Sequence, residues 1–164
     1  ILDIQRFTMI NWQLLSFTQL STMQLYQMIK LRVDVFVVEQ DCPYPELDGK
    51  DHAEGAFHLL GYDGEELVAC ARLLAEGISY PSAASIGRVA TKESARGTGL
   101  GHELMQQALT NLESVWDDVP VQISAQEHLS QFYGKHGFVQ CTEMYLEDGI
   151  PHIGMVREAK ERCL

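Results

Sequence analysis

Cysteine pairs at metal-binding or redox spacing are absent from this sequence. Its four cysteines form no Cys-x-x-Cys pair, and its six histidines do not cluster at zinc spacing. The pattern predicts neither a disulfide scaffold nor a metal site, and it fits a protein of the reducing cytoplasm. Long apolar runs are also missing, since no stretch approaches the roughly 20 residues that a membrane span requires. We therefore expect no resident metal and no membrane association.

Basic residues are scarce. The chain has 12 Lys and Arg against 23 Asp and Glu, for a net charge of −11. Because nucleic-acid backbones are negatively charged, this balance disfavours nucleic acid and favours a neutral or cationic partner. The 164 residues contain no linker rich in Pro, Gly or Ser, so one domain is predicted over residues 9–160. Residues 1–8 lack an initiating methionine and a signal-peptide pattern, and we expect a leader or an artefactual extension before a start at Met9.

A glycine-rich run is the most informative feature that is present. Residues 96–101 read Arg-Gly-Thr-Gly-Leu-Gly, follow a strand-like segment at 85–91 and open an amphipathic helix. Glycine lets backbone N–H groups approach an anion, and a helix N-terminus adds partial positive charge, so the run is a candidate diphosphate site. A Walker A loop is excluded because His102 and Glu103 follow the last glycine, and a Rossmann fingerprint because His102 or Leu104 stands at the third glycine position.

A second motif lies about thirty residues further along. A short apolar strand at 121–126 is followed by a helix that carries Phe132-Tyr133, and Gly137-Phe138 comes four residues after the tyrosine. Together the two motifs resemble the acetyl-coenzyme A signatures of the GNAT N-acetyltransferase superfamily. Residues 31–40, 42–44 and 147–152 are further similar to the ElaA-type subfamily. This resemblance covers nearly the whole chain.

The resemblance implies an α/β fold with a mixed sheet of about six to seven strands and about four flanking helices. The hydrophobic patterning agrees with it: strands are predicted at 12–17, 56–62, 67–74, 85–91, 121–126, 138–144 and 153–157, and helices at 21–37, 99–115 and 129–136. On the first helix we expect Leu25, Met28, Ile29, Val33 and Phe36 to face the sheet. On the second we expect a buried stripe that runs from Leu100 to Val115.

The family resemblance also implies a cofactor site. In this family the fourth and fifth strands splay, and the pantetheine arm of acetyl-coenzyme A binds between them to backbone groups, here those of Val89, Ala90 and Thr91. The resemblance places the diphosphate on Arg96, Gly97, Thr98, Gly99, Leu100 and Gly101. It adds Gln126, Phe132 and Tyr133 as further cofactor contacts.

Acyl transfer to an amine requires an oxyanion donor, a proton source for the leaving thiolate and a proton acceptor for the amine. The resemblance assigns the first role to the backbone N–H of Val89 and the second to Tyr133 as general acid. The third role stays open, since Glu39, Asp51, His58 and His152 are all candidates by chemistry. With Arg72 these four residues are also the candidate substrate contacts. Arg72 and Arg88 are expected either to line a pocket or to pair with an acidic loop.

The acidic residues are concentrated between Asp34 and Glu66, where ten carboxylates accompany the single base Lys50. Such a segment predicts either a negative wall that attracts an amine or a solvated acidic loop. The leading hypothesis is therefore an N-acetyltransferase that acts on a primary amine of a small molecule or peptide and can form a homodimer. The alternative is a coenzyme A-binding sensor or scaffold without catalysis.

Overall fold

A computed structural model describes residues 9–160 of the chain, so the expected leader at 1–8 lies outside the described residues. Within the described residues, eight strands form one sheet. Their bounds are β1 Asn11–Ser16, β2 Ala56–Asp63, β3 Glu66–Leu74, β4 Ala84–Thr91, β5 Val121–Gln126, β6 Val139–Gln140, β7 Tyr145–Glu147 and β8 Ile150–Arg157. The order across the sheet is β1-β2-β3-β4-β5-β8-β6, and β7 also pairs with β8. The predicted mixed sheet is confirmed, with slightly more strands than expected.

The additional strand has a local cause. The sequence predicted one strand at 138–144. In the structure two short strands, β6 and β7, occupy this region, and the exposed residues 141–144 between them belong to neither strand. Both short strands lie against β8, which begins at Ile150 rather than Ile153. The prediction of a single strand at 138–144 was therefore wrong.

Two helices cover opposite faces of the sheet. Helix α1, Thr22–Val33, continues as a π-helical segment, Asp34–Glu39, and α2, Leu100–Trp116, packs on the other face. A short helix α3, Ser130–Gly134, follows β5. Neighbouring strand residues divide between the two cores because successive side chains point to opposite faces, so that Leu59 packs with α2 and Leu60 with α1.

The buried face of α1 differs from the one that its apolar residues predict. Met28, Leu31 and Val35 are buried, together with the guanidinium of Arg32. Ile29 and Val33, expected in the core, are only half-buried. The helix is rotated toward Arg32 because that side chain has buried carboxylate partners, described below. On α2 the predicted stripe is confirmed as far as Leu112, but Val115 is exposed and Trp116 packs against Phe57 in its place.

Within residues 9–160, strands β4 and β5 are the only parallel neighbours, and they separate almost at once. Their register contains two pairs, Ala84 with Val121 and Ser85 with Gln122. Beyond these two pairs, β4 and β5 share no further paired residues. The sheet therefore opens into a gap between residues 86–91 and 123–126, whose backbone groups are available to a ligand that lies like a strand.

A β-bulge lies on the β4 edge of this gap. Ala71 of β3 faces two residues of β4, Arg88 and Val89, and Arg88 adopts φ of 49°. A bulge re-aims the backbone and commonly lies next to a functional site. The bulge therefore turns the peptide groups of Arg88 and Val89 out of the regular ladder at the gap.

Candidate active site

The predicted diphosphate loop lies at the open end of the gap and leads directly into α2. Gly97 and Gly99 both have φ of 82°, and a Cβ atom at either would meet nothing within 4 Å. The first intrahelical bond runs from the Glu103 N–H to the Gly99 carbonyl, at 3.1 Å. The preceding amides of Leu100 to His102 therefore lack helical partners and point out of the helix N-terminus. Open space beside these amides suits an anion such as a diphosphate.

Arg96 is held at the edge of this loop by two partners. Its guanidinium donates to the Thr91 carbonyl, at 3.2 Å from Nε and 2.8 Å from Nη2, which ties the loop to the end of β4. The same guanidinium forms a two-pronged ion pair with Glu39 at the end of the π-helical segment, with Nη2 3.0 Å from Oε2. The hydrogen bond from Arg96 lowers the pKa of Glu39. A diphosphate that uses Arg96 must therefore compete with the Glu39 carboxylate.

The two sequence motifs meet in space. A Cβ atom on Gly101 would lie 3.4 Å from the ring of Phe132, so α3 packs closely on the start of α2 at a glycine. His102 extends this contact, because its ring lies 4.7 Å from that of Phe132 and its Nδ1 is 2.9 Å from His136 Nε2. The two motifs, about thirty residues apart in the chain, therefore pack directly against each other.

Tyr133 lies on α3 with its ring in the core, only 9% exposed, in edge contact with Phe132 and Phe138. Burial raises the pKa of Tyr133 to about 12, because the phenolate would be poorly solvated there. The hydroxyl consequently keeps its proton at neutral pH. It is therefore present in the protonated form that a proton donor requires.

Three arginines and three carboxylates of the loop between α1 and β2 form a charge network that is largely buried. Its members are Arg32, Arg72, Arg88, Glu46, Asp48 and Asp51. Arg32 donates to Glu46 at 2.6 Å and to Asp51 at 2.7 Å, and Arg72 bridges Asp51 at 3.0 Å and Asp48 at 2.8 Å. Burial alone would raise the pKa of Asp51, but the hydrogen bonds and charges of Arg32 and Arg72 outweigh it and lower that pKa.

Arg88 joins this network from the bulge. Its Nε lies 2.9 Å from Glu46 Oε1, and its Nη2 lies 3.1 Å from the Glu46 carbonyl and 3.3 Å from Asp48 Oδ2. The ring of Tyr44 packs at 5.8 Å on the guanidinium. The network thus fixes the side chain of a residue whose backbone is in the left-handed region. It holds the bulge in place next to Val89.

Three predicted substrate contacts lie in or against the network rather than in the open gap. Asp51 and Arg72 are buried and paired with each other, which resolves the open question about Arg72 and Arg88 in favour of ion pairing with the acidic loop. His58 is fully buried, with Nε2 2.8 Å from the Asp51 carbonyl oxygen. Burial lowers the pKa of His58 and so favours its neutral form. Glu39 lies at the glycine loop instead, paired with Arg96.

His152 occupies a separate group of polar side chains, the hairpin cluster, made by Ser124, Tyr145, Glu147 and His152. His152 Nε2 lies 3.2 Å from Glu147 Oε2, and the Ser124 hydroxyl donates to the same oxygen at 3.2 Å. The hydroxyls of Ser124 and Tyr145 are also hydrogen-bonded to each other. Gln126, predicted as a cofactor contact, lies beside this cluster and donates to Gln40 at 3.1 Å.

Sequence reasoning overlooked Glu147 and Tyr145, although a signal was present. Asp148 and Gly149 have φ of 50° and 76° and form the turn of the β7–β8 hairpin. An Asp-Gly turn of this kind fixes the register, which places Tyr145 opposite His152. Arg32 and Glu46 were also missed, because nothing local in the sequence pairs residues so far apart.

Comparison with known proteins agrees with this geometry. Residues 24–159 match the family profile described as the acetyltransferase (GNAT) domain. The chain belongs to the GNAT acetyltransferase family, whose general chemistry is acyl transfer. Within residues 9–160, no helix is both long and apolar enough to cross a membrane.

The particular type within the family is ElaA-like. The chain is 47% identical to protein ElaA of Escherichia coli (strain K12) over 150 residues, which are 92% of this chain and 97% of that protein. The crystal structure of Escherichia coli ElaA superposes with a TM-score of 0.86, at 47% identity, and covers 92% of this chain and 100% of its own. An acyl-CoA N-acyltransferase from Pseudomonas aeruginosa superposes with a TM-score of 0.84, at 46% identity over 90% of this chain and 99% of that one.

Proposed function

We propose that this protein transfers an acetyl group from acetyl-coenzyme A to a primary amine of a small molecule or peptide. The observation that carries the proposal is the gap between β4 and β5, which opens after two residue pairs and ends at the glycine loop. An extended arm fits between the strand edges, and a diphosphate fits the amides at the start of α2. The same proposal places the reaction in the cytosol, where thiols such as the buried Cys70 stay reduced.

Each chemical role has a residue in this arrangement. Acetyl-coenzyme A supplies the thioester whose acyl carbon the amine attacks. The N–H of Val89, which follows the bulge at Arg88, is the proposed donor that stabilises negative charge on the carbonyl oxygen. Tyr133 is protonated at neutral pH and is the proposed proton donor to the departing thiolate. Arg96 and the amides of Leu100 and Gly101 hold the diphosphate.

The test begins with calorimetric titration of acetyl-coenzyme A, with NADH and ATP as controls. Selective binding of acetyl-coenzyme A supports the cofactor assignment, and equal or tighter binding of either nucleotide overturns it. Thiol release in the presence of primary amines then separates an enzyme from the alternative sensor. Binding without any turnover across a broad amine panel would favour the sensor.

The Glu39–Arg96 ion pair makes the loop assignment sharper. Arg96→Ala removes a charge-assisted contact, so we expect the binding free energy of acetyl-coenzyme A to weaken by about 1.5–3 kcal/mol. This loss is reduced by the energy of the Glu39–Arg96 ion pair, which no longer has to break for the diphosphate to bind. Glu39→Gln frees the guanidinium, so affinity should rise by up to about 1 kcal/mol. Lys30→Ala, which removes a positive charge from an exposed pair on α1, is the matched control. Weaker binding of acetyl-coenzyme A by Glu39→Gln would contradict the proposed competition between Glu39 and the diphosphate for Arg96.

A further inference from the structure

The proposed transfer leaves the proton acceptor for the amine unassigned, and the hairpin cluster has the chemistry for that role. We propose that Glu147 and the ring of Tyr145 bind the ammonium group of the acceptor and that His152 Nε2 removes its proton. The inference rests on the proposed function. It also names an acceptor class: primary alkylammonium groups that carry no carboxylate on the neighbouring carbon.

The tautomer of His152 follows from its partners. Nδ1 lies 2.7 Å from the Ile150 carbonyl oxygen, which can only accept a hydrogen bond. The ring proton of the neutral imidazole is therefore on Nδ1, and Nε2 carries the lone pair. Nε2 in turn faces the Glu147 carboxylate at 3.2 Å. A proton taken up by Nε2 can therefore be donated to Glu147, which would stabilise the imidazolium.

The electrostatics favour an ammonium ion at this position. The side chain of Glu147 is 51% exposed, and His152 is its one ion-pairing partner within residues 9–160. No Lys or Arg of the described chain therefore neutralises this carboxylate. The Tyr145 ring stacks on the His152 ring with centroids 6.2 Å apart and offers an aromatic face beside the carboxylate. A carboxylate on the acceptor's own α-carbon would be repelled by Glu147, which excludes α-amino groups of free amino acids.

The cluster lies at the open end of the gap. His152 pairs in register with Gln126, the last residue of β5, and cross-strand partners point to the same face. Gln126 contacts Gln40 after the π-helical segment, and Cys42 Sγ lies 3.7 Å from the Asp148 carbonyl of the hairpin turn. The loop after α1 therefore contacts both the end of β5 and the hairpin turn beside the cluster. An amine bound there approaches from the α1 face of the sheet.

The proton balance is complete within this arrangement. One proton passes from the ammonium nitrogen to His152 Nε2, which becomes an imidazolium stabilised by Glu147. The nitrogen lone pair released in this way forms the C–N bond as the C–S bond breaks. The nitrogen then loses a second proton to solvent, which leaves a neutral amide. Tyr133 protonates the departing sulfur and regains a proton from solvent, and His152 returns its proton to water.

Binding is tested without turnover. In protein with isotope-labelled histidine rings, n-butylamine at neutral pH should shift the His152 resonances and leave those of His52 unchanged. Norvaline, which adds an α-carboxylate to the same skeleton, and n-butanol, which lacks the charge, should not shift them. Glu147→Gln should abolish the response, whereas Glu54→Gln, on the exposed loop, should retain it. Equal responses to n-butylamine and n-butanol, or a response that survives Glu147→Gln, would overturn the ammonium site.

Catalysis is tested through the pH profile of acetyl-coenzyme A turnover with n-butylamine. The titratable groups that face His152 are Glu147 and Tyr145 on β7, with Tyr80 of the β3–β4 connection close to both. With an intact His152 the rate should level off once its imidazole is neutral. In His152→Gln it should be lower by roughly 10²-fold near neutrality and keep rising with pH, because only free amine then reacts.

Different results would refute the proton-acceptor role and the acetyltransferase function. An unchanged pH profile in His152→Gln, with normal acetyl-coenzyme A affinity by calorimetry, would overturn the proton-acceptor role and leave the acetyltransferase standing. Loss of selective acetyl-coenzyme A binding in the parent protein would instead refute the proposed function itself. His52→Gln, a surface histidine packed on Phe17, is the matched control for removal of an imidazole.

Discussion

The left-handed backbone of Arg88 allows a direct test of how the charge network shapes the β4 edge. Arg88 has φ of 49° in the bulge, and its side chain is tethered to Glu46 and Asp48. Truncation to alanine and truncation to glycine remove the same side-chain contacts. Only glycine adopts this backbone without steric cost. The difference between the two variants therefore isolates the backbone strain from the lost ion pairs.

The expected difference in stability is modest but measurable. A left-handed conformation costs an L-residue such as alanine about 1–2 kcal/mol, a cost that glycine avoids. Glycine in turn destabilises the protein by roughly 0.4–1 kcal/mol, because its unfolded chain has more conformational freedom to lose on folding. We expect Arg88→Gly to be more stable than Arg88→Ala by about 0.5–1 kcal/mol, with both below the parent protein. For a domain of this size the difference corresponds to roughly 1–4 °C in Tm.

Urea unfolding and calorimetric melts of the three proteins measure this directly. Acetyl transfer supplies a second reading, because Arg88→Gly should keep more turnover than Arg88→Ala if the bulge directs the N–H of Val89. Arg88→Ala proving as stable as Arg88→Gly would refute the strain argument. Equal loss of turnover in both variants would show that the guanidinium itself acts on the substrate.

Three further substitutions test other parts of the site. Tyr133→Phe should lower turnover by roughly 10²-fold or more and leave the Kd for acetyl-coenzyme A nearly unchanged, as judged by steady-state kinetics and calorimetry; undiminished turnover would remove the proton-donor assignment. Arg32→Met leaves buried carboxylates short of a partner and should cost about 3–5 kcal/mol in urea unfolding, whereas Lys30→Met on the exposed side of the same helix should change little. Gly99→Ala forces a side chain into φ of 82° at the start of α2, so both Tm and acetyl-coenzyme A affinity should fall; unaltered affinity would argue against the diphosphate loop.

The parts of the fold that sequence could predict are those with local signals. The Asp63-Gly64 turn marks the β2–β3 hairpin, and Ser21 with Gln24 forms the predicted capping box at the start of α1. The glycine loop is equally local, since six adjacent residues carry its anion-binding geometry. Each of these features can be recognised without knowing what packs against it.

The features that sequence reasoning missed depend on distant partners. Hydrophobic periodicity placed Ile29 and Val33 in the core and gave no reason to bury Arg32, because its carboxylate partners lie 14 and 19 residues away in an irregular loop. The bulge in β4 likewise has no glycine at its left-handed position. Its conformation is set by Glu46, 42 residues earlier in the chain. Nonlocal ion pairs of this kind are invisible to windows of a single helix or strand.

The charge network also changes how the acidic segment should be understood. Of the ten carboxylates between Asp34 and Glu66, six are paired with a Lys or Arg in the structure, three of them in the buried network. The segment is therefore largely neutralised and does not form the negative wall that its composition allowed. Attraction for a cationic acceptor then depends on a carboxylate outside the segment. Glu147, half exposed and paired with no Lys or Arg within residues 9–160, meets that requirement in the proposed acceptor site.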